Sequence, residues 1–305
     1  MTPRSDPHHC REVRVSQLTP RTSAWQRAGT LMPIAGHRIF VREREGMDGG
    51  PPVLFLHGYP SSSYDWRHAL EALGDRRLIM FDFLGFGLSD KPRDRVYSLL
   101  DQADLVEAVA ARFAGEPVML VAHDMGSSVA TELLARDLEG RLPFALVSVL
   151  LFNASLVLER ARLTNGQKLL RSRLGPLAAR LTTEFAFRRQ FGEIFSDEHP
   201  LSEQEEADQW SLLTYNSGHR LLDRLTFYLH ERVAYGPRWK GALRDWPGRL
   251  ELAWAELDPI ATEAVLQAVR GLRPYAPVSR LHGLGHYPQI EDPAAAMAVI
   301  ERVAT

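Results

Sequence analysis

The chain has one cysteine in 305 residues, Cys10, so no disulfide can form within it and too few thiolates exist for a structural zinc site. Lysine is almost as scarce, confined to Lys91, Lys168 and Lys240, while arginine supplies the remaining basic charge. That bias assigns no function. Nowhere do about 18 apolar residues run together, which excludes a membrane-spanning helix, and the arginine-bearing first thirty residues lack the apolar core of a signal peptide. A net charge of -2 gives no bulk attraction to nucleic acid or anionic lipid. These absences lead to the expectation of a cytoplasmic protein with no nucleic-acid or membrane partner, and they leave monomer or homodimer open. His8-His9 reads as part of a solvated arm over residues 1–30. No repeat of 20 to 50 residues is visible.

An apolar fraction of 45% suits a globular core. Strands are expected at 37–44, 53–57, 77–83, 117–123 and 144–152, and helices at 64–73, 99–113 and 127–138. Short apolar strands separated by helices of this length describe a parallel sheet covered on both faces. From 155 to 246 the sequence turns helical, with breaks at Gly175-Pro176, His199-Pro200 and Gly236-Pro237. Alternation then resumes, with strands at 250–256 and 278–282 and helices at 260–269 and 293–303. The expected organisation is a core domain from 31–154 and 247–305, with 155–246 as a helical cap over the carboxyl ends of the strands, where open α/β folds bind ligands. A separate helical domain is the alternative.

The densest chemical signal is Val118 to Ser127, a run of β-formers entering Ala122-His123-Asp124-Met125-Gly126 and then a helix. Small residues on either side of one central side chain are the pattern of a nucleophile elbow, a strained turn that exposes that side chain. Here it is Asp124, a residue type that otherwise serves to cap the following helix. A carboxylate nucleophile attacks carbon and leaves an ester on the enzyme, and a base must then activate the water that cleaves it. This chemistry requires a carboxylate oxygen held free at the sheet edge. His286, in Gly283-Leu284-Gly285-His286-Tyr287-Pro288, is the candidate base, and Asp258, in Leu257-Asp258-Pro259, its orienting partner; alone, Asp258 reads as a helix N-cap. The chain order of nucleophile, acid and histidine, each just past a strand, matches the elbow fold. The oxyanion of ester hydrolysis needs two N–H donors, expected from the backbones of Met125 and of Tyr59 in His57-Gly58-Tyr59-Pro60. The loop from Asp82 to Ser89 is glycine-spaced but lacks the downstream lysine of a phosphate loop, and is expected to pack under the site.

These motifs, together with the full run DFLGFGLSDKP and the ending HYPQIEDP, resemble the α/β-hydrolase superfamily. Within it they resemble the aspartate-nucleophile branch of epoxide hydrolases and haloalkane dehalogenases, with motifs most similar to the mesoderm-specific transcript proteins. The resemblance runs from about His37 to the end of the chain and is looser in the cap. It implies an eight-stranded, mostly parallel sheet and two-step hydrolysis without metal or cofactor, with a small apolar substrate and water as partners. Dehalogenases hold the departing halide with side-chain N–H groups, and at the matching positions stand Met125 and Tyr59, which offer none. Epoxide hydrolases use cap tyrosines as O–H donors. The stretch from Leu225 to Arg232 resembles the helix carrying one, which puts Tyr228 forward. No tyrosine lies between Tyr97 and Tyr215, so a second donor would be Tyr215 or His219. The reading is an epoxide hydrolase acting through Asp124, Tyr228, His286 and Asp258. The alternatives are a haloalkane dehalogenase with the same three residues and a non-catalytic ligand-binding protein of the same fold.

Overall fold

A computed structural model describes residues 17–113 and 115–304. Cys10 and His8-His9 lie outside the described residues. Eight strands form one sheet: β1 Thr30–Ile34, β2 His37–Arg44, β3 Val53–Leu56, β4 Leu78–Phe81, β5 Val118–His123, β6 Leu146–Phe152, β7 Arg249–Ala255 and β8 Val278–Leu281. Their order is β1-β2-β4-β3-β5-β6-β7-β8. The first two pairings, β1 with β2 and β2 with β4, are antiparallel and the others parallel. The strand β3, Val-Leu-Phe-Leu, is wholly buried because helices cover both faces. Each such side chain is worth about 1.5–3 kcal/mol of burial. The core accordingly divides into two clusters, one containing Leu54 and Leu56 and the other Val53 and Phe55, as alternation along a strand requires.

Two expectations need correction. The arm does not run free to residue 30: Pro20–Ala28 is a helix, capped by Thr19 and anchored by Trp25 against Tyr64 and Phe40. Thr22 also bonds Ser211 at 3.0 Å. The strand β1 that follows carries Pro33, which an edge position tolerates because no inner partner needs its N–H. The continuous helix expected at 64–73 is instead a single 3-10 turn, Ser63–Trp66, and a short helix, Ala69–Ala72. Asp82 draws the backbone and hydroxyl of Ser63 inward and fixes that turn.

Between β6 and β7 the chain forms a series of helices from Asn165–Leu170 to Gly236–Asp245. Buried polar bonds attach this insert to the sheet layer. Glu231 accepts from Ser98 Oγ and Leu99 N, both at 2.6 Å, and so caps the helix Leu99–Ala110 from outside. Glu132 accepts from Trp239 Nε1 at 2.9 Å and Arg238 Nε at 2.8 Å.

Candidate active site

Asp124 stands between β5 and the helix Met125–Leu138 with φ 45° and ψ -110°, a conformation that an L-residue adopts only when its surroundings enforce it. A Cβ at Gly126 would lie 2.7 Å from the His57 carbonyl oxygen, so the helix can approach β3 this closely only with glycine there. The strained turn throws the Asp124 side chain toward the loop after β3. There the Tyr59 N–H donates to Asp124 Oδ2 at 3.1 Å, and the Tyr59-Pro60 bond is cis. Tyr287 Oη donates to the Tyr59 carbonyl at 3.0 Å and holds that loop from behind. Met125 is the first residue of the helix, where a backbone N–H has no partner within the helix and is available as a donor.

His286 follows β8, and its Nδ1 meets Asp258 Oδ2 at 2.7 Å. Asp258 follows β7. Its other oxygen accepts the N–H groups of Ile260 and Ala261, and Asn153 Nδ2 donates to Oδ2 at 2.5 Å. With Nδ1 facing Asp258, the Nε2 edge of the imidazole is the one left for a substrate-side proton. Burial lowers the affinity of His286 for a proton, but the charge and hydrogen bond of Asp258, then the charge of Asp124, outweigh it and raise the imidazole above its ordinary value. For Asp258, burial pushes upward while His286 and Asn153 bring the carboxyl down.

Sequence reasoning missed Arg232. Its guanidinium is buried and reaches Asp124 Oδ1 at 3.3 Å, the Asp124 carbonyl at 3.1 Å, Ser155 Oγ at 2.8 Å and Ser128 Oγ at 2.9 Å. Ser155, after β6, donates to Asp124 Oδ1 at 2.9 Å. The expectation of a carboxylate oxygen standing free therefore needs revision, since both oxygens already accept hydrogen bonds. Burial would push Asp124 upward, but Arg232 first and His286 next hold it well below the usual carboxylate range. The carboxylate therefore stays ionised well into the acid range. Arg232 could have been suspected from Tyr228, four residues before it on the helix Tyr228–Ala234, because residues so spaced share a face. The guanidinium indeed lies 4.6 Å from the Tyr228 ring centroid.

Tyr228 is buried against Tyr59, with ring centroids 5.5 Å apart. Its hydroxyl oxygen accepts from Gln167 Nε2 at 3.0 Å, so the phenolic proton remains available to donate. Burial first, and the Asp124 charge second, raise this phenol above its ordinary value. Neither Tyr215 nor His219 joins the cluster. The chain kinks at Asn216 and Ser217, both with positive φ; Tyr215 Oη is taken by Gln26 Nε2 at 3.1 Å, and His219 packs on Trp210. A cavity of about 300 Å³ adjoins the site, lined by Tyr59, Gln167, Phe187, Phe191, Leu222 and Ile260 among others. The loop after β4 packs beneath: His57 Nε2 accepts the Phe83 N–H at 3.0 Å, and Asp82 accepts that of Leu88.

An acid on a strained strand-to-helix turn, set beside a histidine–aspartate pair at the ends of parallel strands, is the arrangement of an α/β hydrolase. The model of the alpha/beta hydrolase family matches residues 53–299, and the chain belongs to that family. It is 53% identical over 277 residues to LipZ of Mycobacterium tuberculosis, named as a hydrolase, covering 91% of this chain and 96% of that one. The human mesoderm-specific transcript homolog protein is 37% identical over 289 residues, covering 91% of this chain and 86% of its own, in keeping with the motif resemblance. Among solved structures, the haloalkane dehalogenase DbeA-M1 loop variant from Bradyrhizobium elkanii superposes with a TM-score of 0.72 at 22% identity, over 89% of this chain and 94% of that one. Cfl2 from Burkholderia cenocepacia gives 0.76 at 19% identity, over 91% and 95%. At such identities these two report the shared fold.

Proposed function

We propose that this hydrolase opens epoxides to vicinal diols through an ester on Asp124, with residues 155–246 acting as the cap over the site. The observation that carries the reading is the hydroxyl of Tyr228, buried beside the nucleophile with its oxygen occupied by Gln167 and its proton unspent. In the first step Asp124 Oδ1 bonds to a ring carbon, the carbon–oxygen bond of the epoxide breaks, and the departing alkoxide takes the Tyr228 proton. Oδ2, facing the Tyr59 N–H, becomes the ester carbonyl oxygen. In the second step His286 removes a proton from water, the hydroxide attacks the ester carbon, and the oxyanion is held by the N–H groups of Tyr59 and Met125. Collapse releases the diol carrying the original Oδ1, and the His286 proton returns to Tyr228. Arg232 has two opposing effects: its charge weakens Asp124 as a nucleophile, yet keeps it ionised and, once the ester has formed, makes its carbonyl carbon more electrophilic.

One observation favours a second reading, release of halide from haloalkanes. Gln167 Nε2 carries two hydrogens and spends one on Tyr228, so a second N–H is left on a residue that lines the cavity. The two are separated by incubating the enzyme with terminal and internal epoxides and with chloro- and bromoalkanes. Diol formation that Tyr228→Phe suppresses supports epoxide hydrolysis. Halide release without diol formation, retained in Tyr228→Phe but lost in Gln167→Leu, would replace it with the second reading.

A further inference from the structure

The outward face of the insert is unlike the rest of the surface. Leu174, Leu177 and Leu181 lie along one side of the helix Gly175–Leu181 and its N-cap, 60%, 55% and 66% exposed, with Phe185 beyond them 76% exposed. Spacing of three and four residues places the leucines in one row. Leu169, 46% exposed, and Leu181 also line the cavity that reaches Tyr59, so the apolar patch is continuous with the cavity wall. A patch of this kind normally marks a contact surface.

Its charge is equally one-sided. Residues 165–185 contain Lys168, Arg171, Arg173 and Arg180, against a single acid, Glu184, which is bonded to Arg188. Arg180 continues into a cleft of about 280 Å³ lined by Arg93, Arg180, Arg220, Leu221 and Arg224. Four arginines line it without an acidic residue among them, whereas elsewhere arginines are generally ion-paired, as Arg136, Arg238 and Arg280 are. Asp94 and Asp223 line the adjoining groove that Arg224 borders. Holding four like charges together is unfavourable unless an anion joins them.

We propose that this face docks on the surface of an anionic phospholipid bilayer, with Leu174, Leu177 and Phe185 entering the interface and the arginine cleft receiving lipid phosphates. Apolar side chains rimmed by unpaired basic ones are what such a surface selects, the leucines displacing interfacial water and each basic group contributing about fivefold in affinity. No described helix is long and apolar enough to cross a membrane, so the contact is peripheral. Docking also gives the shared residues a use: an apolar substrate dissolved in the bilayer would reach the cavity past Leu169 and Leu181 without crossing water. That last step rests on the proposed hydrolase activity; the docking does not.

The test is co-sedimentation of the full chain with vesicles of phosphatidylcholine alone and of phosphatidylcholine with phosphatidylglycerol. The mixed vesicles should retain the protein at least tenfold better, and about 0.5 M salt should release much of it. Arg180→Glu combined with Arg220→Glu should lower binding to the mixed vesicles by tenfold or more, and Leu174→Asp with Leu177→Asp should do the same. All four positions are exposed, so unchanged melting confirms that these variants are folded. Failure to bind the mixed vesicles would overturn the proposal. So would concentration-dependent dimerisation without lipid that Leu177→Asp abolishes, because the patch would then be a contact between two copies. Turnover of a water-soluble epoxide, unchanged in these variants, separates failure of docking from failure of the chemistry.

Discussion

The inner end of the insert and its outer face treat arginine in opposite ways. Arg232, pointing inward, is buried and spends its donors on Asp124, Ser155 and Ser128. Arg180 and Arg220, pointing outward, share a cleft with two further guanidinium groups and no acid. A buried charge must be neutralised within the fold, whereas an exposed one can wait for a partner, so the first belongs to the architecture of the site and the second is available for recognition. The apolar residues divide in the same way. Phe187 and Phe191 stack at 5.0 Å inside the insert, whereas Phe185, two residues before Phe187, stands in solvent.

The sharpest way to break this contrast is at the inward pair. Asp124→Asn should lower turnover by about 10⁴-fold or more, read from the rate of diol formation, because the nucleophile itself is lost. Arg232→Met should destabilise the fold by about 3–5 kcal/mol in denaturant unfolding, since the Asp124 carboxylate is left buried without its cation. Combining the two should recover much of that loss, a coupling that two independent sites would not show. The outward change Leu177→Asp should alter stability by no more than about 0.5 kcal/mol. Equal effects inside and outside would erase the distinction.

Smaller effects sharpen it. Tyr228→Phe should reduce kcat for epoxides by about a hundredfold with little change in KM, because the proton is needed in the transition state. The pH profile of ester breakdown should rise through a value above 6.5, since His286 acts as a base only when neutral and its affinity for the proton is raised. No acid limb belongs to Asp124, which is esterified in that step and in the free enzyme is held ionised well into the acid range. The linked stabilities have opposite signs. The contribution of His286 is complete below about pH 6.5 and is lost as pH rises through its raised folded value, whereas that of Asp124 is present above about pH 4 and is lost only as pH falls well below that.

Sequence reading recovers what a strict local pattern enforces. The sheet interior is legible because β3, β5 and β6 must be apolar on both faces, and the elbow is legible because its strained turn demands small neighbours such as Gly126. The strand β1 escapes notice because Pro33 imitates a breaker, and the helix Pro20–Ala28 because its anchors, Tyr64, Asp208 and Ser211, lie far along the chain. Arg232 and Ser155 escape for a similar reason. An arginine in a helix ordinarily reads as part of a solvated face, and a serine after a strand as part of a turn; only packing the insert on the sheet brings both to Asp124. The expected indifference to lipid rests on net charge, which averages over the whole surface and carries no information on a local cluster such as Arg93, Arg180, Arg220 and Arg224.

The central claim is that Asp124 forms a covalent bond with substrate and His286 releases it. Incubating His286→Gln with an epoxide and measuring the intact mass and its fragments tests this most directly. The account predicts an increase equal to the mass of the epoxide, located on the peptide containing Asp124 and absent from a variant that also carries Asp124→Asn. Diol production by His286→Gln at the wild-type rate with no added mass, or an adduct located on another residue, would contradict it.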